Sequence, residues 1–220
     1  MQGRQEPPPR RETPQPDAAK ARLRARLLAQ RRTCQPSSRP AEPRVEHASL
    51  AGRIMRIPEI ASARCVAAYV ALPGEPDLGD LLPRLLAQGT RVLLPVLRAD
   101  LDLDFREHVG TLVPGALGTR EPPPAAAAGD LTDAEALIIP ALAVDRSGRR
   151  LGRGGGSYDR ALARAAAGAA VIAVVYDQEL LDRVPTEPHD RSVTMVVTPS
   201  RTLRCEPSDG TREHLGPSTS

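Results

Sequence analysis

The sequence predicts an α/β fold in three layers, α/β/α, in which helices cover both faces of a mostly parallel central sheet. Short continuous apolar runs recur along the 220-residue chain, and such runs are typical of strands that are buried on both faces. Helical stretches alternate with these runs, which is the pattern of strand–helix–strand crossovers and of parallel pairing. We expect one α/β domain over residues 18–204, between a disordered Pro/Arg-rich extension at 1–17 and a disordered tail at 205–220.

The first half of the chain begins with an amphipathic helix, because Leu23, Leu27 and Leu28 fall on one helical face. Pro58 and Gly89 are the clearest stop signals, since proline and glycine interrupt regular elements. In chain order, we expect a helix at 18–32, a Pro/Ser linker at 33–44, a helix at 45–57, a buried strand at 65–72, a helix at 81–88, a buried strand at 91–97, a half-exposed strand at 101–105 and a loop at 110–130.

The second half is organised around a glycine-rich stretch, residues 150–160. An apolar run precedes it and an alanine-rich run follows it, so the stretch is predicted to join a strand to a helix. In chain order, we expect a strand at 136–144, the glycine-rich loop, a helix at 158–167, a strand at 170–176, a short connection at 180–185 and a last strand at 193–198.

The glycine-rich loop has the composition of an anion site. Its three glycines at 154–156 lack a Cβ, so a phosphate could approach the backbone N–H groups closely. Arg150 and Arg153 add forked cationic donors, and Ser157 suits the N-cap of the following helix. Ser157 also stands where a P-loop has lysine and where the dinucleotide fingerprint has its third glycine. These residues alone leave a phosphate site and a plain flexible turn equally open.

Lys20 is unusual because every other one of the 30 basic residues is arginine. We infer that Lys20 does something that arginine does poorly, such as placing a compact point charge on a phosphate. Chance survival of a single lysine is the alternative. Arg24 is four residues further along the predicted helix, so the two side chains project side by side.

Composition disfavours several classes of protein. No apolar run reaches the roughly 18 residues of a membrane span, and the N-terminus lacks the apolar core of a secretory signal. Cys34, Cys65 and Cys205 have no CxxC spacing, which argues against a disulfide framework and a cysteine zinc site. A net charge of +3 and 2% aromatic residues disfavour nucleic-acid binding, even through the Arg-rich N-terminus. We expect a cytoplasmic monomer with no membrane or nucleic-acid partner.

One long segment resembles a known family signature. Residues 140–160 read Pro-Ala-Leu-Ala-Val-Asp-Arg-Ser-Gly-Arg-Arg-Leu-Gly-Arg-Gly-Gly-Gly-Ser-Tyr-Asp-Arg, which closely resembles the signature of the 5-formyltetrahydrofolate cyclo-ligase, or methenyltetrahydrofolate synthetase, family. The resemblance spans about residues 18–200. Three further segments match in the family's order: the Lys-x-x-x-Arg of Lys20 and Arg24, Glu75 after the first strand, and His189-Asp190 before the last strand. One departure is Ser157, where members commonly have the first of two tyrosines.

The resemblance implies an enzyme that uses ATP and Mg²⁺ to convert 5-formyltetrahydrofolate to 5,10-methenyltetrahydrofolate, with release of ADP and phosphate. The formyl oxygen is activated by phosphorylation and the neighbouring amine then closes the ring. Asp159 and Asp190 are the implied magnesium ligands, and His189 is expected to be a structural hydrogen bonder. The implied catalytic residues are Lys20, Arg24, Arg153 and Tyr158.

The resemblance also assigns the binding residues. Its ATP contacts fall on Lys20, Ala21, Arg22, Leu23, Arg24, Arg150, Leu151, Gly152, Arg153, Gly154, Gly155, Gly156, Ser157 and Tyr158. Its folate contacts fall on Val70, Glu75, Arg153, Gly154, Gly155, Gly156 and Ser157.

Two other functions remain open. A nicotinamide dinucleotide-dependent oxidoreductase would use Asp177, after the strand at 170–176, as its ribose-binding acid, but the loop lacks the third glycine. A nucleotide-binding family member without folate turnover is the second alternative. Against that alternative stands the joint presence of Lys20, Arg24, Glu75, Asp159 and Asp190.

Overall fold

An eight-stranded sheet forms the centre of the computed structural model, which describes residues 16–33, 50–187 and 190–206. The helices are α1 (Pro16–Thr33), α2 (50–54 within the described residues), α3 (Pro58–Ala61), α4 (Leu81–Ala87) and α5 (Ser157–Arg164). The strands are β1 (Cys65–Ala67), β2 (Arg91–Leu97), β3 (Leu103–Glu107), β4 (Val113–Pro114), β5 (Arg120–Glu121), β6 (Ala128–Gly129), β7 (Ala136–Pro140), β8 (Ala143–Asp145), β9 (Arg150–Leu151), β10 (Ala170–Val174), β11 (Leu180–Leu181), β12 (Met195–Val197) and β13 (Thr202–Arg204).

The strand order in the large sheet is β13-β12-β10-β7-β1-β2-β3-β6. The five strands from β12 to β2 pair in parallel, and Val66 of β1 lies opposite Val92 of β2 and Ala136 of β7. The remaining strands, β13, β3 and β6, are antiparallel. The predicted α/β fold with a mostly parallel central sheet is therefore confirmed.

Helices cover both faces of this sheet, as the three-layer prediction requires. Successive side chains of β7 alternate between the faces, because a strand has a period of two. Ile138 packs in the cluster beneath α2, α3 and α4, whereas Leu137 and Ile139 pack in the cluster that contains Ala161 of α5. Buried β7 is thus apolar on both faces, which explains its continuous apolar sequence.

Helix α1 packs away from the two main clusters. Its Leu27 is buried against Leu142, Ala143 and Leu151, which belong to or adjoin β8 and β9 of a small sheet with order β11-β8-β9. Since β9 leads directly into the glycine-rich loop, this packing places α1 beside that loop.

The structure corrects two predicted strands. The apolar run at 136–144 forms β7 and β8 rather than one strand. The chain leaves the large sheet after Pro140, which has no N–H for a further ladder bond, and joins the small sheet from Ala143. The run at 193–198 is not the last strand either, because β13 follows β12 and pairs with it antiparallel.

Other boundaries also differ from the prediction. The loop expected at 110–130 contains the β4–β5 hairpin and β6. Ser157 is not the N-cap of α5, because Gly156 occupies that position with φ of 68° and Ser157 is the first helical residue. Pro58 is the first residue of α3, where a backbone N–H would have no partner within the helix. It was expected only to end the preceding helix. The predicted helix at 45–57 and the linker at 33–44 lie partly outside the described residues, as do the predicted extension at 1–17 and tail at 205–220. Pro16 and Asp17, which were expected in the disordered extension, belong to α1.

No helix within residues 16–33, 50–187 and 190–206 is both long and apolar enough to span a bilayer.

Candidate functional site

A cavity of about 430 Å³ lies where the parallel strands β1, β2 and β7 end. The carboxyl edge of such a sheet is where open α/β folds bind ligands. The residues that border it are Asp17, Lys20, Arg24, Val70, Leu72, Glu75, Pro95, Leu97, Leu101, Leu103, Leu117, Thr119, Glu121, Pro140, Ala141, Arg150, Leu151, Gly152, Arg153, Gly154, Gly155, Gly156, Ser157, Tyr158, Asp159, Glu187 and Asp190.

The glycine-rich loop forms one wall of the cavity between β9 and α5. Gly154 and Gly156 have φ values of 104° and 68°, in the left-handed region that favours glycine. Arg24 of α1 donates from Nε to Gly152 O at 3.1 Å, which ties the loop to the helix beside it. The first N–H groups of α5 follow directly, so the loop and the helix together present backbone donors suited to an anion.

Lys20 lies between two acids of the segment before β12. Its Nζ is 2.6 Å from Glu187 Oε2 and 2.6 Å from Asp190 Oδ2. Burial lowers the pKa of Lys20, but the hydrogen bonds and charges of Asp190 and Glu187 outweigh burial and leave that pKa above its ordinary value. Lys20 is therefore a fixed positive charge at the cavity wall.

Arg150 and Asp159 form a second ion pair at the other end of the loop. Arg150 Nη2 donates to Asp159 Oδ1 at 2.6 Å, and Arg191 N donates to the same oxygen at 3.2 Å. Burial lowers the pKa of Arg150, although the charges of Asp159 and Asp190 oppose that effect. Arg150 Nε is buried and has no acceptor within the described part of the chain.

Glu75 follows β1 and is almost fully buried. Its Oε2 accepts from Leu72 N at 3.0 Å, and its Oε1 accepts from Arg153 Nη1 at 3.2 Å. Arg153 thereby links the glycine-rich loop to the end of β1. Burial raises the pKa of the Tyr158 phenol well above its ordinary value, and the charge of Glu75 raises it further. Tyr158 is therefore a neutral hydroxyl donor rather than a base.

Most of the residues that the sequence singled out meet in this cavity. Three do not border it: Leu23 packs with the α1 cluster, and Ala21 and Arg22 are exposed. His189 lies outside the described residues. The predicted residues that border the cavity are Lys20, Arg24, Val70, Glu75, Arg150, Leu151, Gly152, Arg153, Gly154, Gly155, Gly156, Ser157, Tyr158, Asp159 and Asp190.

Sequence reasoning missed three carboxylates of the cavity, namely Asp17 in the first turn of α1, Glu187 and Glu121. Glu187 stands three residues before Asp190, and only that proximity in sequence could have suggested it. Glu121 lies on β5 in a segment that was expected to be a loop, and two-residue strands carry no readable periodicity. Sequence reasoning also missed a group of apolar residues at one side, namely Pro95, Leu97, Leu101, Leu103 and Leu117.

The two predicted magnesium ligands border the same cavity. Within residues 16–33, 50–187 and 190–206, no three His, Cys, Asp or Glu side chains come together as a closed metal site. Mg²⁺ commonly takes only one or two carboxylates and completes its shell with waters and phosphate oxygens. Asp159 Oδ2 accepts no hydrogen bond from the described residues, so Asp159 fits that donor set, and Asp190, whose Oδ2 is 2.6 Å from Lys20 Nζ, borders the same cavity.

A cavity that combines a glycine-rich loop with four basic and six acidic side chains, at the carboxyl edge of a parallel sheet, is typical of a ligand-binding α/β protein. Asp177, the acid that a dinucleotide enzyme would need, does not border the cavity, and its Oδ1 accepts from Thr198 Oγ1 at 2.5 Å. The site therefore departs from the dinucleotide pattern in both its loop and its acid.

A sequence model of the 5-formyltetrahydrofolate cyclo-ligase family matches residues 16–199. The 5-formyltetrahydrofolate cyclo-ligase of Mycolicibacterium smegmatis is 47% identical over 190 residues, which cover 83% of this chain and 95% of that relative. The cyclo-ligase of Escherichia coli K12 is 34% identical over 158 residues, which cover 69% and 86%. The chain belongs to the 5-formyltetrahydrofolate cyclo-ligase family, and the expectation of an enzyme is confirmed.

Solved structures support the same family. The NMR structure of the Aquifex aeolicus 5,10-methenyltetrahydrofolate synthetase matches with a TM-score of 0.71 and 26% identity, covering 89% of this chain and 99% of that one. The 5,10-methenyltetrahydrofolate synthetase from Mycoplasma pneumoniae matches with a TM-score of 0.61 and 16% identity, covering 80% and 96%. The second likeness shows the shared fold alone.

Proposed function

We propose that this protein converts 5-formyltetrahydrofolate to 5,10-methenyltetrahydrofolate while ATP becomes ADP and phosphate. The observation that carries the proposal is the composition of one cavity of about 430 Å³. It joins a basic wall with a glycine-rich loop to an apolar side with buried carboxylates. An enzyme that phosphorylates a reduced folate needs both environments in one space, because the two substrates must react directly.

The basic wall is suited to a triphosphate. Lys20, Arg24 and Arg150 border it, and Lys20 is held charged by Glu187 and Asp190. The glycine N–H groups and the start of α5 add donors that need no reorganisation during the reaction. These groups would bind the triphosphate and offset the charge that shifts between its oxygens as the terminal phosphoryl group leaves.

The chemistry asks for positioning rather than covalent catalysis. The formyl oxygen attacks the terminal phosphorus, an oxygen–phosphorus bond forms, and ADP leaves. The neighbouring amine then attacks the formyl carbon and loses its proton, and phosphate leaves with the former formyl oxygen. Arg153, anchored to Glu75 at 3.2 Å, would hold the loop against the reacting oxygen. The Tyr158 hydroxyl, neutral at all ordinary pH values because burial raises its pKa, would donate a hydrogen bond.

Asp159 and Asp190 would hold Mg²⁺, which supplies further positive charge to the phosphate oxygens. Both residues border the cavity next to Lys20 and Arg150, which supports this assignment.

We further propose that residues 18–204 act as one domain and as a monomer in the cytoplasm. One cavity brings together α1, the glycine-rich loop and the β4–β5 hairpin, which supports a single domain. Cys65 and Cys205 form no disulfide, which suits a reducing compartment.

The test is an absorbance assay for the methenyl product with 5-formyltetrahydrofolate, ATP and Mg²⁺. We expect product to form only when all three are present. Folded protein that yields no product under these conditions would overturn the proposal. Replacement of ATP by NADH or NADPH tests the oxidoreductase alternative, and we expect neither nucleotide to support any reaction of the folate.

A further inference from the structure

Glu121 of β5 is a carboxylate in the cavity wall that the proposed reaction does not yet use. The residue is only 8% exposed. Its Oε1 accepts from Leu97 N at 3.1 Å and from Thr119 Oγ1 at 2.6 Å. Among residues 16–33, 50–187 and 190–206, no group donates to Oε2 and no cation pairs with the carboxylate. Oε2 is therefore left to accept hydrogen bonds from a ligand that brings N–H donors into the cavity.

The carboxylate is held in a fixed place. Val113 lies opposite Glu121 in the β4–β5 hairpin, and a Cβ at Gly115 would overlap the Glu121 carboxyl group. Glycine at 115 therefore leaves the space that the Glu121 side chain occupies. The hydrogen bond from Leu97 N then joins the hairpin to the end of β2. A carboxylate held this firmly is preorganised for a ligand.

Two leucines that border the same cavity as Glu121 are exposed and have strained backbones. Leu101 and Leu117 are 43% and 80% exposed, and both border the cavity. Their φ values are 62° and 52°, a region that residues with a Cβ rarely adopt. Strain of this kind is retained mainly where a ligand or a mechanism uses it. Apolar side chains held at a cavity mouth are suited to cover a flat ring.

We propose that Glu121 is a specificity residue that accepts hydrogen bonds from the 2-amino-4-oxopyrimidine edge of the reduced folate. This inference rests on the proposed function. That edge presents an amino group beside a ring N–H, and a carboxylate is the matching acceptor. Leu101 and Leu117 pack against the ring. Glu121 belongs to the hairpin, whereas the phosphate-binding groups belong to α1 and the glycine-rich loop, so Glu121 recognises the folate without contacting the nucleotide.

The test is the substitution Glu121→Gln in the full chain. Glutamine keeps an oxygen for Leu97 N and Thr119 Oγ1, but it replaces the unused acceptor with an NH₂ donor. We expect the dissociation constant for 5-formyltetrahydrofolate to rise about 10- to 100-fold, as for loss of hydrogen bonds to a charged group, with unchanged ADP affinity and thermal midpoint. Asp104→Asn, at an exposed carboxylate on β3, is the control and should leave both affinities unchanged.

A substrate analogue without the 2-amino group separates recognition from support of the fold. We expect its loss of affinity to be about tenfold or more with the wild-type protein and less than about threefold with Glu121→Gln, because the partner is already gone. Equal losses in both proteins would make Glu121 a structural residue and overturn this inference alone. A wild-type protein that neither binds nor converts 5-formyltetrahydrofolate would overturn the proposed function as well.

Discussion

Lys20 illustrates how a single residue type is selected by its surroundings. Its Nζ reaches Glu187 Oε2 and Asp190 Oδ2 at the same distance of 2.6 Å, from within a largely buried position. An ammonium group is compact and directs three donors, whereas a guanidinium is planar and longer. The chain otherwise uses arginine for its cations, so this position is where an arginine would fit poorly.

The substitution Lys20→Arg tests that argument. We expect kcat/KM for ATP to fall by at least about tenfold, because the wider group must displace one acid or leave the cavity wall. Arg26→Lys is the matched control, since Arg26 is exposed on the same helix and does not border the cavity. Steady-state kinetics with varied ATP would give both values. Equal activity of Lys20→Arg and the wild type would mean that the lysine survives by chance.

Helix α1 carries Lys20 and Arg24 and is fastened at its far end by a buried ion pair. Arg31 donates from Nε and Nη2 to Glu179 at 2.6 and 2.8 Å, and from Nη2 to Ala141 O at 2.6 Å. Burial lowers the pKa of Arg31, but the hydrogen bond and charge of Glu179 outweigh burial and raise that pKa overall. The pair sets the position of α1 along the small sheet, and so of the cations that it brings to the cavity.

Removal of one partner of this pair should therefore lower the stability of the folded protein. We expect Arg31→Met to lower the free energy of unfolding by about 3 kcal/mol, because Glu179 stays buried without its cation. The control is Arg64→Met, which breaks the Arg64–Glu135 pair of 3.0 Å on the surface, where about 0–1 kcal/mol is expected. Urea unfolding gives both values. Similar losses in the two variants would show that burial of the Arg31 pair contributes nothing.

Elements with a strong local pattern could be predicted, and those set by distant contacts could not. The apolar run at 91–97 is β2 with the same bounds, because it is buried in the sheet and antiparallel β3 protects its outer side. The run at 136–144 was wrongly predicted as one strand, since apolarity continues where the chain changes sheets after Pro140. The loop and its cations were recognisable from a family signature. The hairpin with Glu121 was missed, because strands of two residues show no alternation.

At the scale of the whole molecule, four separate parts of the chain meet at one side of the cavity. Helix α1, the end of β1, the glycine-rich loop and the segment before β12 each contribute a charged group. The Lys20–Glu187 pair joins α1 to the segment before β12, and the Arg153–Glu75 pair joins the loop to the end of β1. The apolar side comes from other elements, namely the end of β2, the turn into β3 and the β4–β5 hairpin. A nucleotide and a folate should therefore stabilise different sets of elements.

Hydrogen exchange in the intact protein can distinguish the elements that bind the nucleotide from those that bind the folate. We expect ADP with Mg²⁺ to slow amide exchange in α1 and the glycine-rich loop, but not in the β4–β5 hairpin, because only the former carry the phosphate-binding groups. We expect 5-formyltetrahydrofolate to slow exchange in the hairpin, where Glu121 and Leu117 lie. ADP at about 100 times its dissociation constant should add about 2.7 kcal/mol of stability, which is a rise of roughly 5–10 °C in the thermal midpoint for a chain of this size. Protection of the hairpin by ADP alone would contradict the prediction that nucleotide and folate bind to different elements, because the nucleotide would then occupy the apolar side as well.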